Sequence, residues 1–226
     1  MRKIKEATGN ERIKFCRADL SSLREVEDLA RQVISEVTRL DVLVNNAGIG
    51  FGRDNSKREI SQDGYELRFA VNYLAPYLLT ERLISLLRTS APARIVNVAS
   101  VGQAPLDFDN IMLGLGYSGV TAYRQSKLAI IVWTFDLAER LTVTANALHP
   151  ASLMPTKMVL EAGRQTMSSV EEGLKATLRL VIDPALENVT GEYFDGLRPA
   201  KANAQAYDRT VRQRLASLSR ELVSLK

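Results

Sequence analysis

The feature that most constrains the fold is an alternation of short β-branched runs with longer segments of helical periodicity. Four runs read as buried strands: Ile13–Cys16, Val42–Val44, Ile95–Val98 and Val143–Leu148. These runs are continuously apolar, a pattern typical of a parallel sheet that helices cover on both faces. The sequence therefore predicts an α/β fold with a doubly wound parallel sheet.

Helix signals lie between these runs. Ser22 and Glu25 have the spacing of a capping box, and an apolar stripe follows them. We expect a second helix to start in Asp63–Phe69, and Pro76 to separate it from a third helix, Tyr77–Leu87.

The second half of the chain is predicted to be mostly helical. Ala122–Leu141 reads as one long helix with apolar residues on more than one face. After Pro155 we expect helices, one short strand at Glu192–Phe194, and a final amphipathic helix whose apolar stripe runs from Tyr207 to Leu222.

Composition narrows the classes of protein. With 226 residues and neither repeat nor linker, residues 1–226 are expected to form a single domain. The net charge of +4 comes from basic residues that are spread along the chain, so no nucleic-acid partner is expected. The single cysteine, Cys16, excludes an internal disulfide and a cysteine metal cluster, and no metal site is predicted. With no signal peptide and no apolar run long enough to span a membrane, a cytoplasmic location is the expectation.

The chemistry of the chain is suggested by YRQSK, at the start of the long helix. Tyr123 and Lys127 are four residues apart and lie on one helical face. A phenol titrates near pH 10, so proton exchange near pH 7 requires a pKa about 3 units lower, or about 4 kcal/mol. An ammonium about 4–5 Å away supplies about 3–4 kcal/mol at an effective dielectric of about 20. One lysine is therefore expected to be nearly sufficient, and a cationic nicotinamide ring would add to its effect.

Polar and small residues follow three of the predicted strands. Ser100 follows Ile95–Val98, Asn45–Gly48 ends the strand before it, and Asp19 comes shortly after the first run. In an open α/β sheet, ligands bind beyond the carboxyl ends of the strands. A serine there can donate a hydrogen bond to a substrate carbonyl, and a loop of small residues leaves room for a cofactor.

Taken together, these motifs resemble the short-chain dehydrogenase/reductase family. The matching segments occur in the family's order and cover nearly the whole chain: Ala18–Leu20, Asn45–Gly48, Val71–Thr80, Arg94–Ser100, Tyr123–Lys127 and Leu148–Met158. The segment between Ser100 and Tyr123, which contains DFDN, is most similar to the retinol-dehydrogenase and WW-domain-oxidoreductase branch and its bacterial relatives. The resemblance implies a Rossmann-like sheet with C-terminal helices.

The resemblance also implies roles for individual residues. Tyr123 would be the general acid/base, Lys127 would lower its pKa and hold the nicotinamide ribose, and Ser100 would orient the substrate oxygen. Asn72 would anchor a water chain behind the lysine. The remaining positions implied for NADP or NAD binding are Asp19, Leu20, Asn45, Asn46, Ala47, Gly48 and Thr156. The implied reaction is hydride transfer between NAD(P) and an alcohol or ketone, with a small apolar substrate and a homodimeric enzyme.

Several of these residues have simpler interpretations. Asn72, Asp19 and Thr156 could each cap a helix, His149 is read as structural, and Trp133 as core or dimer packing. Met154, Met158, Leu160 and Met167 suggest an apolar substrate pocket, although core packing explains them equally well.

The chain departs from the family at its front end. The family's first βαβ unit, with the glycine-rich turn that brings the pyrophosphate to a helix N-terminus, has no counterpart before the first run. Read as an N-terminally truncated member, the chain is expected to bind its cofactor weakly or not at all if it starts at Met1. Two absent strands would leave a gap of about 14 Å beside Ile13–Cys16, whose backbone must then face water, pair with another molecule or rearrange.

Two functions therefore remain open. The first is an oxidoreductase that uses the Ser100, Tyr123 and Lys127 site. The alternative is a catalytically inactive remnant that acts only through association, using Tyr77–Leu87 and Ala122–Leu141, the helices through which family members commonly dimerise.

Overall fold

A computed structural model of the chain describes residues 2–52 and 54–224. The helices, in chain order, are α1 Arg2–Thr8, α2 Leu23–Glu36, α3 Leu67–Phe69, α4 Ala75–Thr89, α5 Gly119–Arg140, α6 Lys157–Glu161, α7 Val170–Ile182 and α8 Arg209–Leu222. The strands are β1 Val42–Asn45, β2 Arg94–Val98, β3 Thr144–His149, β4 Tyr193–Asp195 and β5 Arg198–Pro199. A π-helical turn, Ala70–Leu74, joins α3 to α4.

The strands form one sheet in the order β1-β2-β3-β4-β5. The first four are parallel, with Val44 beside Val96 and Val96 beside Asn146, while β5 returns antiparallel to β4. The predicted α/β architecture is confirmed, since helices separate the parallel strands and pack on both faces.

The two faces carry different amounts of helix. On one face, α4 and α5 pack with α2 in the main core, which includes Val26, Tyr73, Ile95, Leu128 and Ala145. Helix α8 lies against α5. On the other face, α7 covers a smaller core that includes Val96, Val98, Leu148, Ala176 and Leu180.

The predicted strand Ile13–Cys16 is not formed. The backbone from residue 9 to residue 19 adopts neither helix nor strand, and Phe15 is 69% exposed. Among the described residues no strand lies beside β1 on the side away from β2, so the run has no ladder to join. A β-branched run without a partner cannot satisfy its backbone in a sheet, and it rearranges into an exposed loop.

The predicted break at Pro76 is also wrong. The chain is helical without interruption from Leu67 to Thr89. The π turn places the bond from the Ala75 amide to the Ala70 carbonyl just before the proline, which has no N–H to donate, so the ring enters without ending the helix. The helix begins at Leu67, with Glu66 as its N-cap, and not at Asp63.

Other predictions differ in detail. The last sheet strand predicted at Glu192–Phe194 is shifted by one residue, and Tyr207 precedes α8 in a short 3₁₀ turn. Ser22 accepts a hydrogen bond from the Glu25 amide, but the Glu25 carboxylate accepts from the Asp19 amide, so only half of the capping box forms. Within the described ranges no helix is both long and apolar enough to cross a bilayer.

Candidate active site

The carboxyl ends of the parallel strands meet at one edge of the sheet. There the residues that follow β1, β2 and β3 line a cavity of about 550 Å³. Its walls contain Asn46, Ala47, Gly48, Ser100, Tyr123, Lys127 and Thr156. Residues from three strand ends and two helices are thus brought together as the sequence predicts.

Tyr123 lies in the first turns of α5. The helix starts against the loop after β1, because the Gly119 and Val120 amides donate to the backbone and side-chain oxygens of Asn55. A Cβ on Gly119 would lie 2.1 Å from the Phe51 carbonyl oxygen, so only glycine permits this approach. Ser100 Oγ accepts from the Gly102 amide at 3.0 Å, and Ser100 and Tyr123 line the same cavity.

Lys127 lies one turn further along α5 and is buried. Its Nζ donates to the Val98 carbonyl oxygen at 2.9 Å and lies 5.7 Å from the centroid of the Tyr123 ring. The lysine therefore ties the helix to the end of β2 and faces the cavity beside the tyrosine.

The electrostatics differ from the sequence-based expectation. Burial raises the pKa of Tyr123 above its ordinary value, and the neighbouring Ser100 hydroxyl only partly opposes this. Burial also lowers the pKa of Lys127 to about 8. The expectation that one lysine nearly suffices to acidify the phenol is wrong for this form of the chain, because burial has the largest influence on the phenol and disfavours its ionised form.

Asn72 does not cap a helix. It lies in the π turn, where its Oδ1 accepts from the Ile49 amide and its Nδ2 donates to the Ile49 carbonyl and to Ser126 Oγ. The amide thus fixes the loop after β1 against α5. A Cβ on Gly48 would lie 3.1 Å from Asn72 Oδ1 and 3.5 Å from Lys127 Nζ, so the glycine keeps the space in front of both open. The water chain behind the lysine stays a prediction.

The residues predicted to hold the cofactor divide into two groups. Asn46, Ala47, Gly48 and Thr156 line the cavity, and Thr156 precedes α6 without a capping hydrogen bond from its hydroxyl. Asn45 instead donates to Thr80 and Asn97 beneath the cavity. Asp19 accepts from the Ser21 amide and from Gln62, and Leu20 packs against the main core. Neither Asp19 nor Leu20 lines this cavity.

The other interpretations are resolved residue by residue. His149 is buried at the cavity wall with Nε2 3.0 Å from Ser152 Oγ, in keeping with a structural role. Trp133 is buried against Tyr73 and Tyr77 in the core. Met154 and Met158 line the cavity, whereas Leu160 and Met167 are exposed and do not.

Sequence reasoning missed Phe51 and the residues that hold it. The Phe51 ring meets the Tyr123 ring edge to face, with centroids 4.9 Å apart. Behind it, Arg68 is buried and donates to the Gly50 carbonyl oxygen. Phe51 stands in a glycine-rich loop without periodicity, and a lone arginine in a helix gives no signal of burial.

These residues fit the nicotinamide end of a dinucleotide. Gly48 leaves open the space between Asn72 and Lys127, and the Lys127 ammonium and the Ser100 and Tyr123 hydroxyls border one cavity. The adenosine end is different, because within the described ranges no strand and glycine-rich turn precede α2.

Comparison with known proteins agrees with this site. The family model described as short chain dehydrogenase matches residues 1–166. Retinol dehydrogenase 13 of Mus musculus is 36% identical over 247 aligned positions, which cover 98% of this chain and 71% of the relative. Polyprenol dehydrogenase of Homo sapiens is 30% identical, covering 99% of this chain and 73% of its own length.

The fold is shared with solved structures. An uncharacterised protein from Mycobacterium paratuberculosis superposes with a TM-score of 0.78 at 25% identity, covering 99% of this chain and 80% of that one. An NADPH-bound carbonyl reductase from chicken fatty liver gives a TM-score of 0.64 at 20% identity, with 89% and 82% covered, and shows the fold alone. The chain therefore belongs to the short-chain dehydrogenase family, as an NAD(P)-dependent oxidoreductase of its retinol-dehydrogenase-like branch.

Proposed function

We propose that this chain interconverts an apolar alcohol and its ketone or aldehyde, with Ser100, Tyr123 and Lys127 as catalytic residues. The observation that carries the proposal is that Ser100, Tyr123 and Lys127 line one cavity, where Lys127 Nζ lies 5.7 Å from the centroid of the Tyr123 ring. When bound, the nicotinamide supplies the hydride in reduction or accepts it in oxidation.

The proton follows a short route in reduction. The Ser100 hydroxyl donates a hydrogen bond to the substrate oxygen and orients it, while the Tyr123 hydroxyl donates its proton to the same oxygen as the alcohol forms. In oxidation the phenolate takes the proton back. Because burial raises the pKa of Tyr123, the neutral phenol is the resting form, and added positive charge in the cavity would lower that pKa.

Lys127 and Asn72 support this step from behind. The ammonium, held by the Val98 carbonyl, would hold the ribose hydroxyls, and Asn72 keeps the loop after β1 at the correct distance from α5. Thr156 would meet the carboxamide of the nicotinamide. The contacts proposed for Asp19 and Leu20 would require the loop before α2 to move from its present hydrogen bonds.

An apolar substrate is supported by the lining of the cavity. Val98, Val101, Met154, Met158 and Val159 contribute apolar surface beside Ser100 and Tyr123. A carbonyl compound with an apolar body would bury that body against these side chains and place its oxygen at the two hydroxyls.

The first experiment separates binding from turnover. NADH and NADPH are titrated in parallel while nicotinamide fluorescence is followed. Oxidation of the reduced nucleotide is then measured by the loss of absorbance at 340 nm, with a panel of apolar aldehydes and ketones. We expect binding of at least one nucleotide and turnover of at least one carbonyl. No fluorescence response to either nucleotide at millimolar concentration would refute cofactor-dependent activity of this chain.

Tyr123→Phe is the matched control. It keeps the ring against Phe51 but removes the transferable proton, so nucleotide binding should persist while kcat falls about 10²- to 10⁴-fold. Equal turnover by wild type and variant would exclude Tyr123 as the acid/base.

An inactive chain that acts only by association is not favoured. Among the described residues, none of the exposed large hydrophobic side chains lies in α4 or α5. Helix α8 packs against α5 and covers part of its surface. The homodimer thus stays a prediction, tested by static light scattering. The single cysteine fits a reducing compartment, so we also propose a cytoplasmic location. Cell fractionation tests this location.

A further inference from the structure

Arg68 is the largest of the fully buried side chains, and the proposed reaction does not use it. It stands in α3, two residues before the first residue of the π turn, and it does not line the cavity of the proposed site. A buried guanidinium is costly unless each of its donors finds a partner, so its contacts show what the charge holds together.

Each nitrogen of Arg68 reaches a different part of the chain. Nε donates to the Gly50 carbonyl at 3.1 Å, Nη1 to the Tyr117 hydroxyl at 3.1 Å, and Nη2 to the Glu59 carboxylate at 2.7 Å. The buried Glu66 carboxylate lies 3.6 Å from Nη1 and accepts from the Tyr117 hydroxyl at 3.2 Å.

The partners of Arg68 belong to the two segments that carry Phe51 and lead into α5. Gly50 immediately precedes Phe51, whose ring contacts Tyr123, and Tyr117 lies two residues before the first residue of α5. Glu66 is the N-cap of α3 and accepts from the Phe69 amide at 2.7 Å. One guanidinium therefore connects the loop after β1 and the segment before α5 to a single helix end.

We propose that Arg68 is a positioning residue, which holds the Phe51 ring against the Tyr123 ring by fixing both segments to the start of α3. This inference rests on the proposed role of Tyr123 as acid/base. Burial by neighbours such as Phe51 sets how much water reaches the phenol, so loss of the guanidinium should expose the phenol and let its ring turn.

Lysine cannot take this place. Its ammonium is a point charge without the planar fork that reaches three directions at once, so Arg68→Lys should keep the charge and lose the Gly50 or Tyr117 contact. Arg68→Met removes the charge with a similar side-chain length. Arg82→Met is the matched control, because Arg82 lies on α4 in the same helical run, pairs with Glu27 of α2 and does not line the cavity.

The first test reads Tyr123 without any turnover. Tyrosine labelled with ¹³C at Cζ gives one signal for each residue, and Tyr123→Phe identifies the one to follow. In Arg68→Met we expect this signal to move and its alkaline midpoint to fall toward the ordinary value near 10, since water now reaches the phenol. In Arg82→Met both should equal the wild type.

The second test uses the proposed reaction. Arg68→Met should lower kcat about 10- to 100-fold, the effect of a small misplacement of a reacting group, with the KM for the nucleotide changed less than about twofold. Guanidinium at low millimolar concentration should restore part of kcat in Arg68→Ala, and Arg68→Lys should lie between wild type and Arg68→Met.

The two readouts separate the possible failures. An unchanged Tyr123 signal and midpoint in folded Arg68→Met overturns the positioning role, whether or not the wild type is active. A shifted signal in a chain without turnover retains the positioning role and refutes the proposed function instead. If Arg68→Met does not fold, Phe51→Leu should produce the same shift, and a signal unmoved by Phe51→Leu also overturns the proposal.

Discussion

Val44 and Val96 lie side by side on neighbouring parallel strands and point to the same face of the sheet, yet Val44 is 37% exposed and Val96 only 1%. The difference is the helix above them. Ala176 and Leu180 of α7 cover Val96, and no helix of the described residues covers Val44. On the opposite face, Leu43 packs against the main core like its neighbour Ile95. At β1, helices therefore cover one face of the sheet and leave the other face exposed.

The proposed catalytic residues of α5 are enclosed by the core although they lie next to this open corner. Tyr123 and Lys127 belong to α5, which the main core and α8 enclose. The open corner instead contains the exposed edge of β1. The organisation of the site depends on the covered half, whereas the adenosine end of a dinucleotide would lie toward the open half in a sheet of this kind.

The largest expected difference is in stability, between the enclosed helix α5 and the exposed face of α7. Leu128→Ala in α5 removes a side chain that is fully buried in the main core, and the resulting cavity should lower the free energy of unfolding by about 2–5 kcal/mol. Leu174→Ala is the matched change in α7, where the side chain is 54% exposed, and it should cost less than about 0.5 kcal/mol. Urea unfolding measures both. Similar losses at the two positions would mean that the exposed row of α7 is covered in solution.

The second expected effect is a pH dependence from the buried lysine. Burial lowers the pKa of Lys127 to about 8, while an unfolded chain keeps it near about 10.4. Between these values the unfolded state binds more protons, so this group makes the free energy of unfolding rise with pH by about 1.4 kcal/mol per unit. The free energy of unfolding of the wild type minus that of Lys127→Met should therefore increase by about 2 kcal/mol from about pH 8.5 to 10.

Comparing wild type with Lys127→Met controls for the other titrating groups. Other titrating groups act on both chains alike and cancel in the difference, and the window ends where the ordinary pKa of tyrosine begins to matter. Urea unfolding at several pH values gives this difference directly. A difference that stays constant across the window would show that Lys127 keeps an ordinary pKa and is not desolvated.

Local patterns predicted the covered half well. The apolar runs at β1, β2 and β3 and the long helix that carries Tyr123 and Lys127 were found within a few residues. Each is supported by both a periodic sequence and a packing partner, so propensity and tertiary structure agree. The spacing of Tyr123 and Lys127 was sufficient to place both side chains at the same cavity.

The failures all depend on what lies next to a segment in space. Ile13–Cys16 has strand composition, but a strand also needs a neighbour with free backbone groups. Pro76 reads as a helix break unless the preceding turn is known to be π-helical. The direction of the Tyr123 pKa shift depends on how deeply Phe51 and its own helix bury the phenol, which spacing along the chain cannot show.

The smallest expected effect tests the comparison at the two valines themselves. Val96→Thr and Val44→Thr replace the same methyl by a hydroxyl at neighbouring positions of one register pair. At Val96 the hydroxyl enters an apolar core under α7, so we expect a loss of about 1–3 kcal/mol. At Val44 water can reach the hydroxyl, so the change should stay within about 0.5 kcal/mol. If Val44→Thr lowers the free energy of urea unfolding as much as Val96→Thr does, then Val44 is covered in solution and the face of the sheet at β1 is not open.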